Sequence, residues 1–141
     1  MKIHHIGYLV DNIETAAQEF AGLGFHPAGE AVMDSSRELL IMFLENQGYR
    51  VELIQSAGDS SSVHGLLKTR RNSPYHICYE TDNLQREIDS RIHSEEGSSN
   101  RGYLLLQPPR SAVAIPGCPD VAFLMSPYVG MIELVEVPRH V

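Results

Sequence analysis

The sequence predicts an α+β fold: two tandem βαβββ modules, about residues 1–56 and 74–141 with a linker over 57–73, forming one curved, cup-shaped mixed sheet with helices outside. Three observations predict it. The segment His5-Ile6-Gly7-Tyr8-Leu9-Val10-Asp11-Asn12-Ile13 is echoed by His76-Ile77-Cys78-Tyr79-Glu80-Thr81-Asp82-Asn83-Leu84, which keeps His, Ile, Tyr, Asp and Asn in order. A second echo, Val51-Glu52-Leu53-Ile54-Gln55 against Ile132-Glu133-Leu134-Val135-Glu136, follows at a similar separation. In each half, strand-like stretches flank one stretch of helical spacing, so a single supersecondary unit is used twice.

Within the first module, residues 2–10 are rich in Ile, Val and Tyr and form the opening strand. Asp11 is the expected N-cap, with Glu14 three residues on completing a capping box. Ile13, Ala16, Ala17 and Phe20 then make one apolar helix face that ends at Gly22 and Gly24. Strands are expected at about 28–33, 38–45 and 49–55, with Asn46-Gln47-Gly48 as a hairpin turn. The linker opens in Ser and Gly and carries a short helix around Val63 to Thr69. In the second module Asp82 is the expected cap, and Leu84, Ile88 and Ile92 line the helix. The polar run Ser94–Asn100 is an expected exposed loop, followed by strands at about 103–107, 120–125 and 131–137.

Bulk properties narrow the function classes. A formal charge of −7 opposes nucleic-acid binding, which needs clustered Lys and Arg. The one basic run, Lys68-Thr69-Arg70-Arg71, is short and reads as a solvated connector. No apolar run reaches the roughly 18 residues of a membrane span, and the start lacks a signal-peptide pattern. A cytoplasmic location is the expectation. Cys78 and Cys118 lack CxxC spacing and are expected as free thiols.

Strand alternation groups the polar residues. His5 points with Ile3, Gly7 and Leu9, and His76 with Cys78 and Glu80, away from the bulky faces that pack on the helices. Both histidines therefore belong to the concave face. Glu52 and Glu133 sit between apolar neighbours, where an ionised carboxylate requires a partner. Two imidazoles and two carboxylates around one divalent cation meet that need, so His5, Glu52, His76 and Glu133 are the expected metal ligands. The mixed N/O set suits Zn, Ni, Co, Fe or Mn better than Mg or Ca. His4 faces the other side; His26, His64, His93 and His140 have no echo and are expected in loops.

In these stretches, and in the run from Asp59-Ser60-Ser61-Ser62 to Tyr75-His76-Ile77 and in Val121-Ala122-Phe123-Leu124, the chain resembles the glyoxalase I / bleomycin-resistance / dioxygenase superfamily of vicinal-oxygen-chelate proteins. Within it the resemblance is to methylmalonyl-CoA epimerase-like and glyoxalase-like members. It implies one metal per cup, held at positions matched by His5, Glu52, His76 and Glu133, and a homodimer. Epimerases often carry Gln where Glu52 stands, a glyoxalase-like departure. The epimerase base falls by counting near Leu40, which cannot take a proton; Glu38, two residues earlier and by alternation on the same face, is a substitute.

The expected chemistry is proton transfer alpha to a carbonyl, as epimerase, isomerase or glyoxalase-type lyase, on a small oxygen-chelating or thioester substrate such as a CoA derivative. Glu133 is the first candidate base, Glu52 the second and Glu38 the third. Two rival readings remain: a metal-free binding or resistance protein of the same fold, and an Fe(II) ring-cleaving dioxygenase. Loops 56–64, 94–102 and 108–119 are expected to shape the pocket.

Overall fold

A computed structural model describes residues 1–61, 63–92 and 102–139. His93, the polar run 94–100 and His140 lie outside the described residues. The elements run β1 (Ile3–Leu9), α1 (Ile13–Ala21), β2 (His26–Pro27), β3 (Val32–Asp34), β4 (Leu39–Asn46), β5 (Tyr49–Ser56), a 3₁₀ turn (Leu66–Lys68), β6 (Ser73–Thr81), α2 (Leu84–Ile92), β7 (Leu104–Ser111), β8 (Asp120–Ser126) and β9 (Gly130–Glu136). This is the α+β content that the repeat predicts. The chain divides into two compact units: His5–Tyr75, and Met1–His4 together with the residues from His76 onward. Among the described residues, no helix is long and apolar enough to cross a membrane.

In the unit His5–Tyr75, β1 runs parallel to β5 with Gly7 opposite Glu52, and β5 pairs antiparallel with β4. Gln47 and Gly48 turn the β4–β5 hairpin with both φ values positive, 50° and 85°. Such a two-residue turn matches the strand twist. The predicted strand 28–33 is instead two short pieces, β2 and β3, each paired to β4. His26 thus stands in a strand rather than a loop. Pro27 lacks a donor, and Gly29 follows at the break.

One face of this sheet packs on α1. Val10, Leu44, Val51 and Leu53 form the core there with Ile13, joined by Tyr8, Ala16, Ala17, Phe20, Leu40 and Met42. The helix is capped one residue later than predicted. Asn12, not Asp11, accepts from the Thr15 amide at 2.9 Å. The Ile13 amide finds the Gln55 side chain, also at 2.9 Å. Asp11 is drawn away because Asn72 bonds its backbone and side chain, and Arg71 pairs with its carboxylate at 3.0 Å. At the other end Gly24 adopts φ 96°, and the Phe25 and Gly24 amides return to the Phe20 and Ala21 carbonyls. That is a left-handed glycine stop sealed by the Phe20–Phe25 ring contact.

The second unit repeats these devices. β6 runs parallel to β9, with Cys78 opposite Glu133; β9 pairs antiparallel with β8, and β8 with β7. Its core joins Leu84 and Ile88 of α2 to Ala122, Leu124, Ile132 and Leu134. Again the cap shifts by one: Asn83 accepts from the Arg86 amide at 2.9 Å, while Glu136 holds the Leu84 amide at 2.8 Å. Asp82, the expected cap, is taken by Arg86 and Arg139. Gln55 and Glu136 are equivalent in the repeat, so in each unit the last strand supplies the partner of the helix's first amide.

Two further expectations change. β7 continues through Pro108-Pro109 to Ser111, where a loop was predicted from 108. Register shifts either side of Gln107 relax the pairing with β8, so prolines without N–H donors are accommodated. In the linker, the expected helix around Val63 to Thr69 contracts to the 3₁₀ turn, with Val63 buried beside it. Neither cysteine forms a disulfide among the described residues; Cys78 is buried and Cys118 exposed.

Candidate metal centre

The face opposite α1 in the first unit is set by the register of three strands. His5, two residues before Gly7, shares that face with Glu52 on β5 and with Phe43, which stands directly opposite Glu52 on β4. His5 is fully buried and Glu52 is 6% exposed. The His5 Nε2 lies 3.6 Å from Glu52 Oε1. The Phe43 ring meets the imidazole edge-to-face, with centroids 5.2 Å apart and planes at 83°. An aromatic in that orientation places its ring edge and face in the arrangement the quadrupole favours, and fixes the tilt of its neighbour.

The second unit builds the same trio from the equivalent positions. His76 and Glu133 are each 3% exposed, and His76 Nε2 stands 2.9 Å from Glu133 Oε2. Phe123, opposite Glu133 on β8, packs on His76 with centroids 5.1 Å apart and planes at 86°. The structure thus brings His5 to Glu52 and His76 to Glu133, as the echo pattern pairs them. All four are buried side chains of metal-ligating type.

Each pair fits a metal by its chemistry and spacing. Donor atoms about 2.1 Å from one ion stand roughly 3.0 Å apart at a right angle and roughly 3.4 Å apart at the tetrahedral angle. The observed 2.9 and 3.6 Å bracket that range. The neighbouring imidazole also offsets part of the cost of burying each carboxylate's charge.

Two aromatics were missed in the sequence reading. Phe43 stands nine residues before Glu52 and Phe123 ten before Glu133, so a third echo was present in the sequence, offset by one residue in the hairpin.

Glu38 requires a correction. Alternation puts it on the face of Leu40, and Leu40 packs on the helix-side core. Glu38 itself lies outside β4, in the turn after β3, with φ 52°. Positive φ breaks strand alternation, so its direction is independent of Leu40. Its carbonyl accepts from the Ala57 amide at 2.8 Å. Its carboxylate lies over Gly58, where an added methyl would stand 2.9 Å from Oε2. That oxygen is buried without a hydrogen-bond partner among the described residues.

Nearby, Asp34 stands opposite Leu39 and is almost fully buried. Burial pushes its carboxyl up, but hydrogen bonds from Ser36 and Arg37 and the Arg37 charge, 2.7 Å away, together hold it below the ordinary Asp value. His64, expected in a loop, lies in a turn 3.9 Å from Asp59.

A family model of the glyoxalase/bleomycin resistance protein/dioxygenase superfamily matches residues 4–95, well over half of the chain. The chain belongs to that superfamily. Among curated proteins, bovine (Bos taurus) mitochondrial methylmalonyl-CoA epimerase is similar, 25% identical over 117 residues that cover 76% of this chain and 67% of the bovine one. Among solved structures, a hypothetical protein from Bacillus halodurans C-125 superposes with TM-score 0.81 at 21% identity, covering 99% of this chain and 96% of the other. Streptomyces coelicolor methylmalonyl-CoA epimerase in complex with 2-nitronate-propionyl-CoA superposes with TM-score 0.78 at 17% identity, covering 99% of each chain. These likenesses show the superfamily fold in this chain.

Proposed function

We propose that this superfamily member is a divalent-metal-dependent epimerase or isomerase that moves a proton alpha to a carbonyl, on a small acyl thioester. The observation that carries this reading is the duplicated, buried His–Phe–Glu trio: His5, Phe43 and Glu52 in one unit, His76, Phe123 and Glu133 in the other. The epimerase relatives, one of them bound to a propionyl-CoA analogue, support a thioester as substrate.

In this reading His5, Glu52, His76 and Glu133 together hold one Zn, Ni, Co, Fe or Mn ion. When bound, the ion supplies a Lewis acid for the oxygens of the substrate. The chain's own residues do the rest. Phe43 and Phe123 fix the two imidazole planes and keep water from the buried pairs. Glu133 accepts the alpha proton, and the inverted product forms when a proton is returned to the opposite face of the planar alpha carbon; a positioned carboxylate base of this kind contributes roughly 10²–10⁴-fold. Glu52 is the second candidate for that transfer. Glu38 is the third, because its buried Oε2 has no hydrogen-bond partner among the described residues.

The test is alpha-proton exchange. Protein stripped by chelator and reloaded with Co²⁺, Zn²⁺ or Mn²⁺ is incubated with methylmalonyl-CoA in D₂O, and loss of the alpha-proton signal is followed by NMR. Exchange should vanish on stripping and return on reloading, with one ion bound per site of four ligands. Glu133→Gln should lower it by about 100-fold or more. Full exchange in metal-free protein, or no exchange at any metal loading, would refute the proposal.

A further inference from the structure

Gln107 is a polar side chain that none of the roles above uses. It sits on β7 opposite Phe123, which in turn sits opposite Glu133. Cross-strand partners point to the same side of a sheet, so Gln107, Phe123 and Glu133 form one row across three strands. Strands lie about 4.8 Å apart, which places the Gln107 backbone roughly 10 Å from that of Glu133, the span of a short acyl group.

A bulge puts it there. Leu105 pairs with Leu124, yet the next β8 partner, Phe123, pairs with Gln107 rather than Leu106. The skipped Leu106 is left 48% exposed. Bulges recur beside active sites because the extra residue re-aims a side chain. The one re-aimed here has its Nε2 buried without a hydrogen-bond partner among the described residues. A buried amide donor left without an acceptor destabilises the fold unless something else provides one.

The duplicated frame supplies an internal control. In the first unit the backbone amide of Ala28 bonds to the carbonyl of Phe43, so alanine occupies the place that Gln107 takes beside Phe123. Val32 stands opposite Ile41 there, whereas a second register shift brings Arg110 opposite Val121 in the second unit. Only the second unit carries polar groups at these two places.

We propose that Gln107 is a substrate-positioning residue: its Nε2–H donates to an oxygen of the free carboxylate of a carboxyacyl thioester, and the Arg110 cation favours that anion. This rests on the proton-transfer reading above. Charge-assisted hydrogen bonds of this type are the strong ones.

The test compares metal-loaded wild type, Gln107→Leu and Gln107→Glu for binding of methylmalonyl-CoA and of propionyl-CoA, which lacks the free carboxylate. Gln107→Leu should weaken methylmalonyl-CoA binding by about 10- to 100-fold and propionyl-CoA binding by less than about 2-fold. Gln107→Glu should show the same split, enlarged by repulsion. Metal content should not change. Because the amide donor has no internal acceptor, Gln107→Leu should also melt at the same temperature or higher, which a structural glutamine would not allow. Gln107→Met gives the same comparison if the leucine variant does not fold. Equal weakening of both thioesters, no weakening, or a lowered melting temperature with lost metal would overturn the assignment. If wild type binds neither thioester, the proton-transfer reading falls and this inference with it. If wild type discriminates and Gln107→Leu discriminates equally, only this inference falls.

Discussion

Replacing Phe123 with leucine tests whether the rings seated on the histidines serve the site or merely fill space. Phe123 is buried, opposite Glu133, and in edge-to-face contact with His76. Leucine keeps the apolar character and much of the volume, a swap that by itself costs under about 1.5 kcal/mol. The lost aromatic contact adds about 0.5–1.5 kcal/mol. The sum is about 0.5–3 kcal/mol. For a chain of this size each kcal/mol lowers the melting point by roughly 3–5 °C, so a drop of roughly 2–15 °C is expected by calorimetry. The more telling readout is metal affinity. A group that orients a ligand imidazole typically changes affinity by about 10- to 100-fold when removed. Competitive titration of Co²⁺ or Zn²⁺ against a chelator should show that loss in Phe123→Leu, and a similar one in Phe43→Leu, because the two units share the geometry. A melting point that falls as expected while affinity for both ions stays within twofold would refute the orienting role.

Three further outcomes follow from the same structure. Gly58→Ala should leave the melting point within roughly 3 °C, since only the flexible end of Glu38 must move away from the new methyl; if the Glu38 carboxylate takes part in proton exchange, this variant and Glu38→Gln should slow it together. Asp34 is held below its ordinary value in the folded state, so its stabilisation is present above about pH 4 and is lost as pH falls through the folded value. Melting scans should show Asp34→Asn less stable than wild type at neutral pH, with the gap closing below about pH 4; a constant gap would contradict this. Gln55→Ala and Glu136→Ala should each cost about 1 kcal/mol, because each leaves the first amide of a helix without its partner, and hydrogen exchange at Ile13 and Leu84 should quicken in the respective variant.

The buried His–Glu pairs were readable from the chain because they obey a local rule. His5 and His76 lie in the opening strands of the two repeats, Glu52 and Glu133 in the closing ones, and a period of two assigns each to a face without knowledge of any partner strand. The same periodicity set Tyr8 and Val10 on the opposite, helix-packing face, where both are found. Capping was misplaced by one residue in both units for a different reason. Asp11 and Asn12, like Asp82 and Asn83, are both good caps, and the choice between them is made by Asn72, Arg71 and Arg139, which are remote in sequence.

What the sequence determined by itself is therefore the repeated α+β unit, the faces of its regular strands, and the His and Glu residues those faces carry. Tertiary structure decided wherever alternation is broken or register matters. Glu38 leaves the face of Leu40 through a positive φ, Gln107 reaches the row of Glu133 through a bulge, and Phe43 and Phe123 meet the imidazoles through cross-strand pairing. The physical reason is that side-chain direction along a strand is a property of adjacent bonds. Which strand lies opposite, and where an extra residue is tolerated, depends instead on hydrogen bonds between segments far apart in the chain.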